Sequence, residues 1–214
     1  MSKEFTYRFI AVEGNIGAGK TSLASIIAHR QNALLALEEF ADNTFLPQFY
    51  QQPDRYAFPL ELSFLAERYQ QLKQKIEESV EQDRLLVTDY LFEKSLLFAQ
   101  VNLQDDELKL FTRFFEMMLP TLRKPDLIIY LDKTTPALSR NINKRGRSFE
   151  KEISELYLHK VSESYHRYLT TLSDIPVLFI ESDDMDFVND HAHLKFILSQ
   201  IEHKRSAGLH RMRI

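Results

Sequence analysis

Gly14-Asn15-Ile16-Gly17-Ala18-Gly19-Lys20-Thr21 fits the pattern G-x-x-x-x-G-K-[ST] in full. The glycines let backbone N–H groups come close to phosphate oxygens, Lys20 reaches the outer oxygens, and the Thr21 hydroxyl can ligate Mg²⁺. The helix that this pattern opens adds the partial positive charge of its N-terminus. An ordinary glycine-rich turn would need no Lys-Thr at that offset, so all eight residues are candidates for holding ATP with Mg²⁺. Further on, Glu38 and Asp89 each close a short apolar run, and Arg145 and Arg147 stand among Arg140, Lys144 and Lys151. Phosphoryl transfer in general needs a group to orient the acceptor, a metal, and cations for the phosphoryl charge. Glu38, Asp89 and the arginines are of the right types, but a phosphate loop alone does not name the acceptor.

These groups act together only if the chain brings them to one edge. Tyr7 to Glu13, Ala33 to Glu38, Leu85 to Asp89, Leu127 to Leu131 and Val177 to Glu181 are short and rich in Val, Ile, Leu and aromatics, the pattern of strands buried on both faces. Five such strands alternating with helices predict an α/β fold with a five-stranded parallel sheet flanked by helices. Open sheets of this kind take ligands beyond the carboxyl ends of their strands, where Glu38 and Asp89 stand. After Pro53, the residues Phe58, Leu62, Leu65, Tyr69, Leu72 and Ile76 recur at steps of four and three and predict a long amphipathic helix. Helices are also expected over Asp105 to Leu119, from a Thr135 cap to Arg145, over Ile153 to Leu172, and over Val188 to Ile201.

The 214 residues, with no Pro/Gly/Ser-rich linker, suit a single domain over 1–204 followed by a basic tail, 205–214, read as a solvated end. Lys+Arg 27 against Asp+Glu 31 leaves a net charge of −4, which offers no global footprint for nucleic acid or an anionic membrane. No run approaches the roughly 18 apolar residues of a spanning helix. The absence of cysteine excludes disulfides and thiolate chemistry. A soluble, cytoplasmic protein is expected. His191-Ala192-His193 has no companion ligands and reads as surface.

Over nearly its whole length the chain resembles the deoxynucleoside kinase family. Five segments carry the resemblance in order: Glu13 to Gly17; Leu37 to Asn43; Phe49 to Phe58 running into Glu61 to Arg68; Thr88-Asp89-Tyr90; and Lys144 to Glu150. The resemblance implies a P-loop kinase that moves the γ-phosphate of ATP to the 5′-hydroxyl of a deoxynucleoside, with Mg²⁺ and ATP as co-substrate. It implies Glu38 as catalytic base, Lys20, Arg145 and Arg147 handling phosphate from the loop and an Arg-rich lid, and Thr21 and Asp89 at the metal. Tyr50 and Glu150 would meet the sugar, Glu61 and Arg68 the base, and the active form would be a homodimer. Glu61 and Arg68 are seven residues apart, hence on one helix face and about 10 Å apart along the axis. The segment Ser182 to Phe187 loosely resembles the family's loop near the adenine of ATP.

Four departures bear on base recognition and phosphate handling. Tyr90 replaces an arginine, Ser95 an aspartate, Glu61 a glutamine, and Asn141 an arginine beside Arg140. Lys94, four residues after Tyr90, is expected to replace the missing cation if a helix begins there. A carboxylate at position 61 offers acceptors only and suits guanine, the one base with two adjacent donors on its pairing edge. Loss of the aspartate at Ser95 would leave Arg68 freer to face guanine O6. The competing readings are a monophosphate kinase of the thymidylate type, which the acidic Glu38, Glu39 and Asp42 disfavour, and a nucleotide-binding module with little catalysis.

Overall fold

The computed structural model describes residues 6–39, 43–147, 150 and 152–213. Six strands, Phe9–Gly14 (β1), Leu34–Ala36 (β2), Leu86–Thr88 (β3), Leu127–Asp132 (β4), Pro176–Glu181 (β5) and Gly208–Met212 (β6), form one sheet in the order β2-β3-β1-β4-β5-β6. Every neighbouring pair is parallel. The helices are Lys20–Gln31 (α1), Leu46–Gln51 (α2), Pro53–Glu81 (α3), Lys94–Asn102 (α4), Asp105–Met118 (α5), Thr135–Arg145 (α6), Glu155–Thr171 (α7) and His191–Ile201 (α8).

Alternate strand residues feed two cores. Phe9, Ala11, Ile128, Tyr130, Val177 and Phe179 pack with α3, α4, α5 and α7, whereas Ile10, Val12, Ile129, Leu131, Leu178 and Ile180 pack with α1, α6 and α8. Burial of each large side chain contributes about 1.5–3 kcal/mol, which is why the central strands read as continuous apolar runs. The sheet has six strands rather than five, and the sixth comes from the segment expected to be a solvated tail. Gly208-Leu209-His210-Arg211-Met212 is an edge strand with no fully buried residue, so it lacks that apolar signature. Its Leu209 joins the first core, and the Arg211 guanidinium lies 4.3 Å over the Phe179 ring.

Helix ends also shift from expectation for local reasons. Thr134 in an extended conformation, rather than Thr135, precedes α6, and Gly146 closes it at φ +71°. The last helix begins at His191, because the Asp190 carboxylate accepts from Ala192 N and His193 N and ends the loop there. The His193 Nδ1 accepts from Asp186 N, a structural use of that histidine. Two short helices, α2 and α4, carry no clear amphipathic stripe in the sequence, and both border the cleft described next. Among the described residues no helix is long and apolar enough to cross a membrane.

Candidate active site

A cleft opens beyond the carboxyl ends of β1, β2 and β3. Its lining includes Lys20, Thr21, Glu38, Tyr50, Glu61, Arg68, Asp89, Arg145, Arg147 and Glu150. Residues singled out from five separate stretches of sequence therefore meet in one place. Phe40, Ala41 and Asp42, and Ser148, Phe149 and Lys151 of the two acidic and basic segments lie outside the described residues.

The floor is the turn between β1 and α1. Gly17 and Gly19 adopt φ +84° and +97°, and an added Cβ at Gly17 would stand 3.0 Å from both Leu138 O and Ile142 Cγ1. Several groups in the turn are engaged internally. Gly14 N donates to Glu13 Oε2, Ile16 N to Asn15 Oδ1 and Ala18 N to Asn15 O. The Asn15 amide points into the protein, donating to Leu158 O and Ser162 Oγ of α7, and so anchors the loop. The N–H groups of Gly17, Gly19, Lys20 and Thr21 have no partner among the described residues, and they form the donor array that phosphate oxygens require. Lys20 Nζ rests on Asn15 O at 3.0 Å. Burial, and then the charge of Lys94, press its pKa down to about 8.

At the end of β3, Asp89 Oδ2 accepts from Thr21 Oγ1 at 2.5 Å while Oδ1 accepts from Glu38 N at 2.7 Å. This carboxylate thus ties the phosphate end of the cleft to the residue expected to handle the hydroxyl. Among the described residues no three His, Cys, Asp or Glu converge as a self-sufficient metal site. The hydroxyl and carboxylate of Thr21 and Asp89 are the sparse oxygen set that Mg²⁺ takes together with phosphate and water.

Glu38 is held by two cations. Oε1 accepts from Arg68 Nε and NH2 at 2.9 and 2.7 Å, and Oε2 from Lys94 Nζ at 2.5 Å. Burial alone would raise its pKa, but Lys94 and Arg68 outweigh that and hold the carboxyl well below the usual range. Arg68 NH1 donates to Ser95 Oγ at 2.8 Å. The expectation that a serine there frees Arg68 for the base is corrected: the guanidinium is committed to Glu38 and Ser95, because an ionised carboxylate is the stronger acceptor nearby. The expected partnership of Lys94 with Tyr90's face also differs. The helix starts at Lys94 rather than Tyr90, and Tyr90 OH turns away to Gln71 Oε1.

At the far end of the cleft, Glu61 Oε1 accepts from Asn102 Nδ2 at 2.6 Å, and the same nitrogen lies 3.2 Å from Tyr157 OH. Burial pushes Glu61 up to about 7. Tyr50 lines the same region, and burial, then the carboxylates of Glu150 and Glu61, keep it a neutral phenol. Glu150 is 5% exposed, accepting from Arg145 Nε and NH2 and from Arg147 NH1. Glu150 therefore offsets part of the charge of the basic segment and organises it, as well as facing Tyr50.

Asn102, Tyr157 and the loop contact of Asn141, whose Nδ2 donates to Gly17 O at 2.8 Å, escape sequence reasoning. Lys94, Phe98 and Asn102 are spaced by four, so one face of α4 presents them together, a signal readable only once that helix is known. The Ser182 to Phe187 segment does meet the phosphate loop: an added Cβ at Gly19 would come within 3.0 Å of Phe187 Cζ.

Comparison with known proteins bears on the family and the fold. Residues 10–205 match the family model described as deoxynucleoside kinase. The chain is 32% identical to the deoxyguanosine kinase of Bacillus subtilis over 92% of this chain and 97% of that one. It is 34% identical to the deoxyadenosine kinase of Dictyostelium discoideum over 92% and 80%. The solved structure of deoxyadenosine kinase from M. mycoides with bound dATP superposes with a TM-score of 0.78 over 92% of this chain and 100% of that one, at 23% identity, and shows the shared fold. Because the match runs along nearly the whole chain and not along the phosphate loop alone, the protein belongs to the deoxynucleoside kinase family.

Proposed function

We propose that this kinase transfers the γ-phosphate of ATP to the 5′-hydroxyl of a deoxynucleoside, with deoxyguanosine favoured, in nucleoside salvage. The observation that carries the reading is the link from Thr21 through Asp89 to the backbone of Glu38, which sets an acceptor-side carboxylate beside a phosphate loop. The 5′-oxygen forms a bond to the γ-phosphorus as the bond to the β-phosphate oxygen breaks, and ADP leaves. Clamped and ionised, Glu38 orients the hydroxyl and receives its proton as the new bond forms, the late transfer expected of a loose transition state. Lys20 and the free loop N–H groups hold the donor phosphates. Arg145 and Arg147 act as a lid by exchanging Glu150 for phosphate oxygens. Mg²⁺, held by Thr21 and Asp89, would supply charge neutralisation to the donor.

Base choice rests on Glu61, whose acceptors suit the N1–H and N2–H of guanine. Tyr50 and Glu150 are assigned to the sugar. The names of the relatives include deoxyguanosine, deoxyadenosine and deoxycytidine, and the purine reading rests on Glu61. A homodimer is the proposed assembly, supported by the exposed Leu110 and Met117 of α5 and Leu156 of α7. A cytoplasmic location is proposed with this activity; the chain has no cysteine, and among the described residues no helix is long and apolar enough to cross a membrane.

The test is an ATP-dependent phosphorylation assay over the four deoxynucleosides and their monophosphates, run with Glu38→Gln beside the wild type. Deoxyguanosine should give the highest kcat/KM, and Glu38→Gln should lower kcat by about 10²- to 10⁴-fold with ATP still bound. Phosphorylation of monophosphates only, ATP binding without turnover, or near-full kcat in the variant would each defeat the reading.

A further inference from the structure

Glu61 is 2% exposed, and its position at the closed end of the cleft is controlled from α4 rather than from its own helix. The Asn102 amide nitrogen serves two acceptors, Glu61 Oε1 and Tyr157 OH. A flipped amide would set its carbonyl oxygen against the carboxylate, so this orientation of Asn102 holds Oε1 as an acceptor and favours the ionised form. The neighbouring arginine does not compete, because Arg68 is engaged by Glu38. Oε2 and the remaining lone pair of Oε1 stay available to a ligand, on a side chain whose terminal torsion is fixed.

Resting on the deoxynucleoside reading above, we propose that Asn102 is a positioning residue for base choice: it presents Glu61 as two acceptors that suit guanine, and a proton on Glu61 converts the same edge to a donor and an acceptor that suit adenine. Guanine offers N1–H and N2–H to the ionised carboxylate in a bidentate, charge-assisted arrangement. Adenine offers N1 as acceptor and N6–H as donor, so an ionised Glu61 leaves N1 facing an acceptor, whereas the carboxylic acid donates to N1 and accepts from N6. No covalent step is involved; one solvent proton is gained or lost with the choice of base.

The groups facing Glu61 come from every side of the cleft: Arg68 on α3, Lys94 and Asn102 on α4, Glu38 after β2, Tyr50 on α2 and Tyr157 on α7. Burial raises Glu61 and the Glu38 charge adds to it, while Arg68, the Asn102 hydrogen bond and Lys94 draw it back, leaving it at about 7. Both protonation states are then reachable across the ordinary assay range.

The experiment measures kcat/KM for deoxyguanosine and deoxyadenosine from pH 5.5 to 8.5 in the wild type, Glu61→Gln and Asn102→Ala. The ratio of deoxyguanosine to deoxyadenosine should rise with pH about 10-fold or more in the wild type, because an unmatched polar pair in a dry pocket weakens recognition by that order. It should be low and flat in Glu61→Gln. Asn102→Ala removes a donor to the ionised form, so its rise should move to higher pH, a change that a purely structural role would not produce. A flat wild-type ratio, an equal slope in Glu61→Gln, or an unmoved rise in Asn102→Ala overturns the proposal while leaving a deoxynucleoside kinase. Turnover of neither nucleoside at any pH would instead bring down the substrate reading on which it rests. If Asn102→Ala does not fold, the wild-type and Glu61→Gln profiles decide.

Discussion

Glu38 meets a cation on each oxygen, and the two cations differ in what else they do. Arg68 is fixed on both flanks, by Glu38 and by Ser95 Oγ, and its guanidinium carbon lies 4.8 Å over the Phe64 ring. Lys94 is a point charge on a flexible stem, 5.5 Å over the Phe98 ring, with Lys20 close enough to feel its charge. Of the two, Lys94 has the freer stem, and the prediction is that it turns from Glu38 toward the transferring phosphoryl group. Lys94→Met should therefore lower kcat by about 10²-fold, the scale of losing one charge-stabilising donor, while the ATP KM changes little. Steady-state kinetics on the variant check this, and unaltered kcat would make Lys94 a structural partner of Glu38 alone.

At the scale of elements, the site is an agreement between one turn and four helices. The β1-to-α1 turn is anchored to α7 through Asn15 and touches α6 through Gly17, where Asn141 donates to the Gly17 carbonyl. Helix α3 supplies Glu61 and Arg68 from one face, and α4 answers with Lys94 and Asn102. Helix α6, which ends in Arg145 and leads to Arg147, is thereby joined directly to the β1-to-α1 turn. Gly17→Ala introduces a Cβ 3.0 Å from Leu138 O in a backbone conformation of φ +84°. It should cost roughly 1–3 kcal/mol in strain and weaken ATP binding more than nucleoside binding. Thermal unfolding and titration with each ligand separately would show that, and equal weakening of both ligands would contradict it.

For the whole molecule, the sheet is a two-sided scaffold whose carboxyl edge concentrates charge. The chain carries a net charge of −4, yet Lys20, Arg68, Lys94, Arg145 and Arg147 converge on a single cleft. Glu38, Glu61, Asp89 and Glu150 line the same cleft, so most of that positive charge is matched there, and the cleft presents paired local charges rather than a general field for polyanions. Strand β6 covers the edge of β5 along the register Pro176↔Gly208 to Ile180↔Met212. Removing residues 206–214 would unpair that edge and uncover Phe179. Each net backbone hydrogen bond contributes about 1 kcal/mol, so stability should fall by several kcal/mol, roughly 5–15 °C in Tm for a chain of this size. A thermal scan of the truncated chain with unchanged Tm would show that the edge strand contributes nothing.

The glycine-rich turn from β1 to α1, the parallel sheet and the Glu61-to-Arg68 face of α3 were legible in the residues themselves, because each depends on local spacing: an eight-residue pattern, buried strands, a helical period. The partners of the charged groups were decided only in three dimensions. Arg68 reaches Glu38 across thirty positions and Lys94 reaches it across fifty-six, while Glu61 takes an amide from Asn102. Each choice is a competition among acceptors within a few ångströms, set by which side chains the folded helices bring inside the dry cleft and by how strongly each acceptor is charged. Strand β6 was hidden for a related reason. Half exposed at the sheet edge, it needs neither an apolar run nor alternation, and its pairing comes from the unsatisfied backbone of β5 rather than from its own side chains.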